Sequence, residues 1–195
     1  MDRRAALSRL AAAGAIVAGG NVVHSSAAFA DQGSSRCLPT NCTSAAAFGL
    51  LVVGTSSTSN SVQATDSSAL ATCPPGFTAS LQRRWRVTRI AGTGGGGGAR
   101  VLDCATKAVL ANDGAWTSFP SVNPVCLFNM NSTTNLNTGT YQLDLIVRRI
   151  CTQGAKKCWC CAGFTQRFSL AGSLLVPLST ASFTVSSADC DTPAP

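Results

Sequence analysis

The chain contains no glutamate, and its only histidine, His24, lies among the first thirty residues. Those residues have the layout of an export leader. Arg3 and Arg4 come first, then an apolar stretch from Leu10 to Val23, then Ala28-Phe29-Ala30, with Ala30 the expected last residue removed. The expected mature protein therefore has neither His nor Glu. That excludes the usual general base, the commonest metal ligand and any Ser-His-Asp or Cys-His arrangement. Hydrolytic chemistry would fall to Asp, Cys or Lys, and Asp103, Asp113 and Asp144 carry no motif for it. An enzyme is the less expected reading, and no catalytic residue or cofactor is assigned.

Charge is scarce too. Removing residues 1–30 leaves 12 basic and 7 acidic side chains, a formal charge of +5. Nucleic-acid binding needs a denser basic face. No segment after the leader reaches the roughly 18–20 apolar residues that cross a bilayer. Ala45 to Gly54 is about half that length and reads as a buried strand.

What the chain does have is cysteine. Cys37, Cys42, Cys73, Cys104, Cys126, Cys151, Cys158, Cys160, Cys161 and Cys190 all follow the leader. An even number in an exported chain implies a disulfide framework, whose connectivity spacing alone does not give.

The expected organisation is a signal peptide over 1–30, an N-terminal arm over 31–72 and a cysteine-rich β domain over 73–195. Within the arm, residues 55–72 are rich in Ser and Thr and read as a surface loop. Beyond Cys73-Pro74-Pro75-Gly76, a turn sequence, the period is two. Trp85 and Val87 alternate with Arg84, Arg86 and Thr88, and Tyr141, Leu143, Leu145 and Val147 alternate with Gln142, Asp144 and Arg148. Both runs predict half-buried strands. Ala99–Cys104, Val125–Met130, Phe164–Leu170, Leu174–Leu178 and Ser182–Ser186 fit shorter ones. No capped helical periodicity follows the leader, and Gly94–Gly98 reads as a hairpin loop. The fold expected is all-β, an antiparallel sandwich or small barrel stabilised by disulfides.

The densest chemistry runs from Cys151 to Cys161. A disulfide knot is the first reading. A soft-metal thiolate site (Cu or Zn) on Cys151, Cys158, Cys160 and Cys161 is the second. Redox exchange, with Lys156 and Lys157 lowering a thiol pKa, is the third. The arginines Arg83, Arg84, Arg86 and Arg89 form the one basic concentration, expected as a solvated strand face. Asn41-Cys42-Thr43 and Asn131-Ser132-Thr133 match the glycosylation pattern.

Three resemblances add to this. Asp2-Arg3-Arg4-Ala5-Ala6-Leu7-Ser8 resembles the bacterial twin-arginine export motif, and an ordinary Sec signal fits as well. Gly139 to Val147, with Trp85 on an earlier strand, resembles bacterial immunoglobulin-like and PKD-like sandwiches, which implies that Tyr141 anchors a strand corner and that the domain has an adhesive or spacing role. Cys73-Pro74-Pro75-Gly76, Trp85, Asp103-Cys104 and Trp159-Cys160 are similar, in that order, to elements of the light chain of methylamine dehydrogenase. That family builds a quinone cofactor from two tryptophans, here Trp85 and Trp159, although core tryptophans are the plainer reading.

Together these features predict an exported, disulfide-rich β protein, periplasmic, extracellular or at the cell surface. Its role would be structural, adhesive or binding, with a protein or polysaccharide as partner. The alternative is an exported redox or thiolate-metal protein, or remotely a quinone-cofactor small subunit.

Overall fold

The computed structural model describes residues 34–36, 51–55, 62–67, 73–92, 97–130 and 136–191. The leader, Cys37, Cys42, Asn41 and Asn131 lie outside them. Along the chain come β1 (Ser34–Arg36), β2 (Leu51–Thr55), β3 (Val62–Asp66), β4 (Thr78–Ala91), β5 (Ala99–Asp103) and β6 (Val109–Asn112). β7 (Val125–Asn129), β8 (Gly139–Gln153), β9 (Lys156–Ala171), β10 (Leu174–Phe183) and helix α1 (Ser187–Asp191) complete them.

The long alternating runs build the first sheet. β4 pairs antiparallel with β8, Trp85 opposite Leu145, and β8 pairs antiparallel with β9 from Gly139–Leu170 to Gln153–Lys156 without a break. Gly154, at φ 57°, makes the reversal between β8 and β9. β10 pairs with one stretch of β9, while β1 runs parallel to another, Ser34 opposite Lys157. The second sheet is antiparallel throughout, in the order β2-β3-β7-β5-β6.

The two sheets share one core. Trp85, Val87, Tyr141, Leu143, Leu145, Val147, Phe164 and Phe168 of the first pack with Val62, Ala64, Val101, Val125 and Leu127 of the second. Apolar burial of this kind is the main favourable term in folding. Two carboxylates bind the sheets at their margins. Asp113 Oδ1 accepts from the backbone N–H of Arg89 on β4 (3.0 Å) and of Ala99 on β5 (2.9 Å). Asp66 of β3, nearly sealed from solvent, accepts from Arg83 Nε of β4 at 2.7 Å.

Tyr141 does anchor a corner: its hydroxyl donates to the carbonyl of Asn137, four residues upstream, at 2.7 Å. Its ring stacks on Phe168 with centroids 5.5 Å apart. Burial pushes the phenol pKa up, so it stays a donor at neutral pH. The expected result for Tyr141→Phe is a loss of about 1 kcal/mol in denaturant unfolding, with the stack kept and only the hydrogen bond removed.

Five expectations change. Residues 62–66, expected within a loop, form β3 and pair with β7. β6 and the five-residue α1 were not foreseen, being too short to show a period. Ser182–Ser186 is not a separate strand, since β10 ends at Phe183. The glycine run joins strands of different sheets, so it is no hairpin; Gly98 leaves the space that the Asp113 side chain fills. Finally, β8 is not half-buried. Asp144, Ile146 and Arg148, on the face away from the core, are buried as well. That covering of the outer face makes the candidate site.

Candidate functional site

The cysteine cluster lies on the β8–β9 hairpin. Cys151 sits directly opposite Cys158, and Cys160 shares their side of the sheet; Cys161, one residue on, points to the other side. Cys151 is bonded to Cys73, Cys161 to Cys190, and Cys104 to Cys126. Cys158 and Cys160 are disulfide-bonded too, and no described cysteine is free. A bonded sulfur is not the thiolate that a soft metal or a redox exchange requires. Alternation and bonding together therefore keep Cys151, Cys158, Cys160 and Cys161 from converging as four thiolates. Among the described residues no group of His, Cys, Asp or Glu is arranged to hold a metal ion.

The two tryptophans proposed as a pair do not meet. Trp85 stands in register with Leu145 and, across β8, with Phe164, on the core side. Trp159 is five positions from Phe164 on β9 and so faces the other way. Trp85 is fully buried and its Nε1 donates to the carbonyl of Val122 at 3.0 Å, whereas Trp159 Nε1 donates to Asp191 at 2.8 Å.

The arginine run is where the structure departs furthest from the expected solvated strand. The segment 113–122 runs along the edge of β4: Gly114 N–H bonds the carbonyl of Val87, Thr117 N–H that of Trp85 and Ser121 N–H that of Arg83. Alternation on β4 turns Arg84 and Arg86 outward, and in register with Gln82 stands Arg148 of β8 on the same face. Trp116 and Phe119 from the edge segment insert between these cations. The result is a stack in the order Arg86, Trp116, Arg84, Phe119, Arg148. The successive guanidinium-to-ring distances are 4.4, 5.6, 5.9 and 4.0 Å. Each such contact contributes about 0.5–2 kcal/mol, more as water is excluded.

Directional bonds hold the guanidinium planes. Arg86 reaches Asp144 Oδ2 through Nη2 at 2.7 Å and Nε at 3.0 Å. Arg84 Nε donates to the carbonyl of Thr117 at 2.8 Å and its Nη1 lies 3.5 Å from Asp189. Arg148 donates to Gln82 Oε1 at 3.0 Å and to the carbonyl of Cys190 at 3.0 Å. Burial lowers the Arg84 pKa, with Asp189 opposing and Arg86 adding to the shift. Burial also lowers that of Arg148, which Asp191 opposes and Arg84 reinforces. Both stay cations, because arginine starts so high.

The remaining acidic candidates are structural. Asp103 caps a tight turn by accepting from Ala105 N–H at 2.8 Å, and that bond draws its pKa down. Asp113 joins the sheets and Asp144 holds Arg86. Trp116 and Phe119 did not stand out in the sequence. Their signal was two large aromatics three apart in an otherwise turn-rich segment, a place where exposed rings need a cover.

No known family model matches the chain, and no curated protein or solved structure shows significant similarity to it.

Proposed function

We propose that this chain is an exported, disulfide-stabilised β domain that works as a binding, adhesive or structural module without catalysis. Its partner would be a protein or polysaccharide at the cell surface. The observation that carries this reading is the bonded state of every described cysteine, which suits an oxidising compartment. The two facing sheets, the buried Trp85 and the Tyr141 corner support the finer reading as an immunoglobulin-like sandwich. None of the described helices is long and apolar enough to cross a membrane.

The test is intact mass and thiol alkylation of the protein from its native host. The expected product lacks ten hydrogens relative to the all-thiol chain, one for each cysteine. Peptide maps should give the three bridges named above. Alkylated Cys151, Cys158 or Cys160, or bound copper or zinc, would overturn the reading in favour of the redox or metal-handling alternative.

A further inference from the structure

Helix α1 closes over one end of the arginine–aromatic stack. The contacts that hold it there include the Cys161–Cys190 disulfide, the Arg84–Asp189 ion pair, the Arg148 bond to the Cys190 carbonyl and the Trp159 bond to Asp191. Beneath it Phe119 is fully buried and Arg148 is 6% exposed.

The three bridges with both cysteines among the described residues differ in what depends on them. Cys104–Cys126 joins β5 and β7, which already share a hydrogen-bonded ladder. Cys73–Cys151 ties the approach to β4 onto β8, beside an even longer ladder. Opening either leaves the strands paired. Cys161–Cys190 instead holds a five-residue helix that has no place in either sheet. A helix that short does not persist by itself in water, so its position depends on its tethers.

We propose that Cys161–Cys190 is the latch of a C-terminal strap, and that opening it uncovers a site on Arg84 and Arg148, beside Phe119, for an acidic polysaccharide. The strap already imitates such a ligand: the Asp189 carboxylate and the Cys190 carbonyl take guanidinium N–H groups that a uronate or sulfate would take. The stacked rings hold both forks in place, which lowers the ordering cost of binding. Gln82 offers an amide on the same face. A membrane fits less well, because the exposed apolar side chains are scattered: Leu174, Val176 and Leu178 lie on β10, Val109 on β6, Ile90 near the end of β4 and Val122 in the edge segment. The opening step needs a dithiol reductant of the protein-oxidoreductase class. Its two thiols give up two protons and two electrons and become a disulfide, while Cys161 and Cys190 each gain one proton and one electron as their S–S bond breaks.

The inference rests on the binding-module reading, and the experiment separates the two by measuring the strap without any ligand. Full-length oxidised protein is compared with the double variant Cys161→Ser, Cys190→Ser. Hydrogen exchange over residues 184–191 should speed up about tenfold or more while β8 and β9 stay protected. Affinity for dextran sulfate should rise about tenfold, equivalent to ~1.4 kcal/mol. The gain should vanish in high salt and when Arg84→Gln and Arg148→Gln are added. Unchanged exchange in 184–191 overturns the latch. A released strap with no gain on dextran sulfate, or a larger gain on phosphatidylserine vesicles, overturns the ligand class. Should the variant lose protection in the sheets, graded dithiol reduction of the wild-type protein with mass mapping decides. Cys161–Cys190 must open first with the same exchange and binding changes, and any other order overturns the proposal.

Discussion

Trp85→Ala should lower the unfolding free energy by about 3–5 kcal/mol, seen as a fall in denaturant midpoint with little change in slope. Trp85 is the largest fully buried side chain of the core, and both sheets pack around it. Truncation removes the apolar surface that the indole buries and leaves a void that close-packed neighbours fill only in part. It also strips the Val122 carbonyl of its indole donor. The backbone at this position bonds Thr117 twice, through N–H to Oγ1 at 2.9 Å and through the carbonyl at 2.8 Å, so local collapse into the void is resisted. Trp159→Ala is the companion measurement. That ring is only half-buried and lies on the outer face, so about 1 kcal/mol is expected. Equal losses at the two positions would contradict the placement of Trp85 between the sheets.

Replacing Cys73 and Cys151 together by alanine is the second large effect. The bridge spans 78 residues, and in the chain-entropy picture a loop of that length contributes about 4 kcal/mol by restricting the unfolded chain. Cys151 is buried in the core beside β9, so the lost packing adds to the entropic loss. Equilibrium unfolding in guanidinium, with the other bridges intact by mass, measures it. The pair Cys104 and Cys126, separated by 22 residues, should cost less on loop length alone. A smaller loss at Cys73–Cys151 than at Cys104–Cys126 would show that loop closure does not rank these bridges.

Much of the first sheet was readable in the chain. Strict alternation around Trp85 and from Tyr141 to Val147 marked β4 and β8, because side chains on a strand point to opposite faces in turn. Residues 99–103 and 125–129 were also found, as short apolar runs between turn signals. β3 was hidden for a composition reason. Val62, Ala64 and Asp66 are its buried positions, and two small apolar side chains and a carboxylate in a Ser/Thr-rich stretch raise no hydrophobic signal. Buried Asp66 is met by Arg83, seventeen residues on and in the other sheet.

The outer face of β4 and β8 shows the same limit from the other side. Arginines alternating with Trp and Val look like a strand turned to water, and pattern alone supports nothing else. Their burial depends on a segment about thirty residues away folding back along the β4 edge, and on α1 arriving about forty residues beyond Arg148. Neither event leaves a local periodicity.

By itself, then, the sequence determined the strand class, the inward-facing Trp85 and Tyr141 and the absence of His and Glu from residues 31–195, while Trp159, read with Trp85 as a core tryptophan, lies half-buried on the outer face. It also predicted that sulfur would be spent on bridges, since composition and short-range alternation report directly on local backbone and on which side is apolar. Only the tertiary structure decided the pairing of the cysteines and the stacking of Arg84, Arg86 and Arg148 on Trp116 and Phe119. The reason is physical. A bridge needs Cα atoms roughly 5–6 Å apart and a buried cation needs a partner at bonding distance. Both conditions are met here by residues brought together across the sheets from far along the chain.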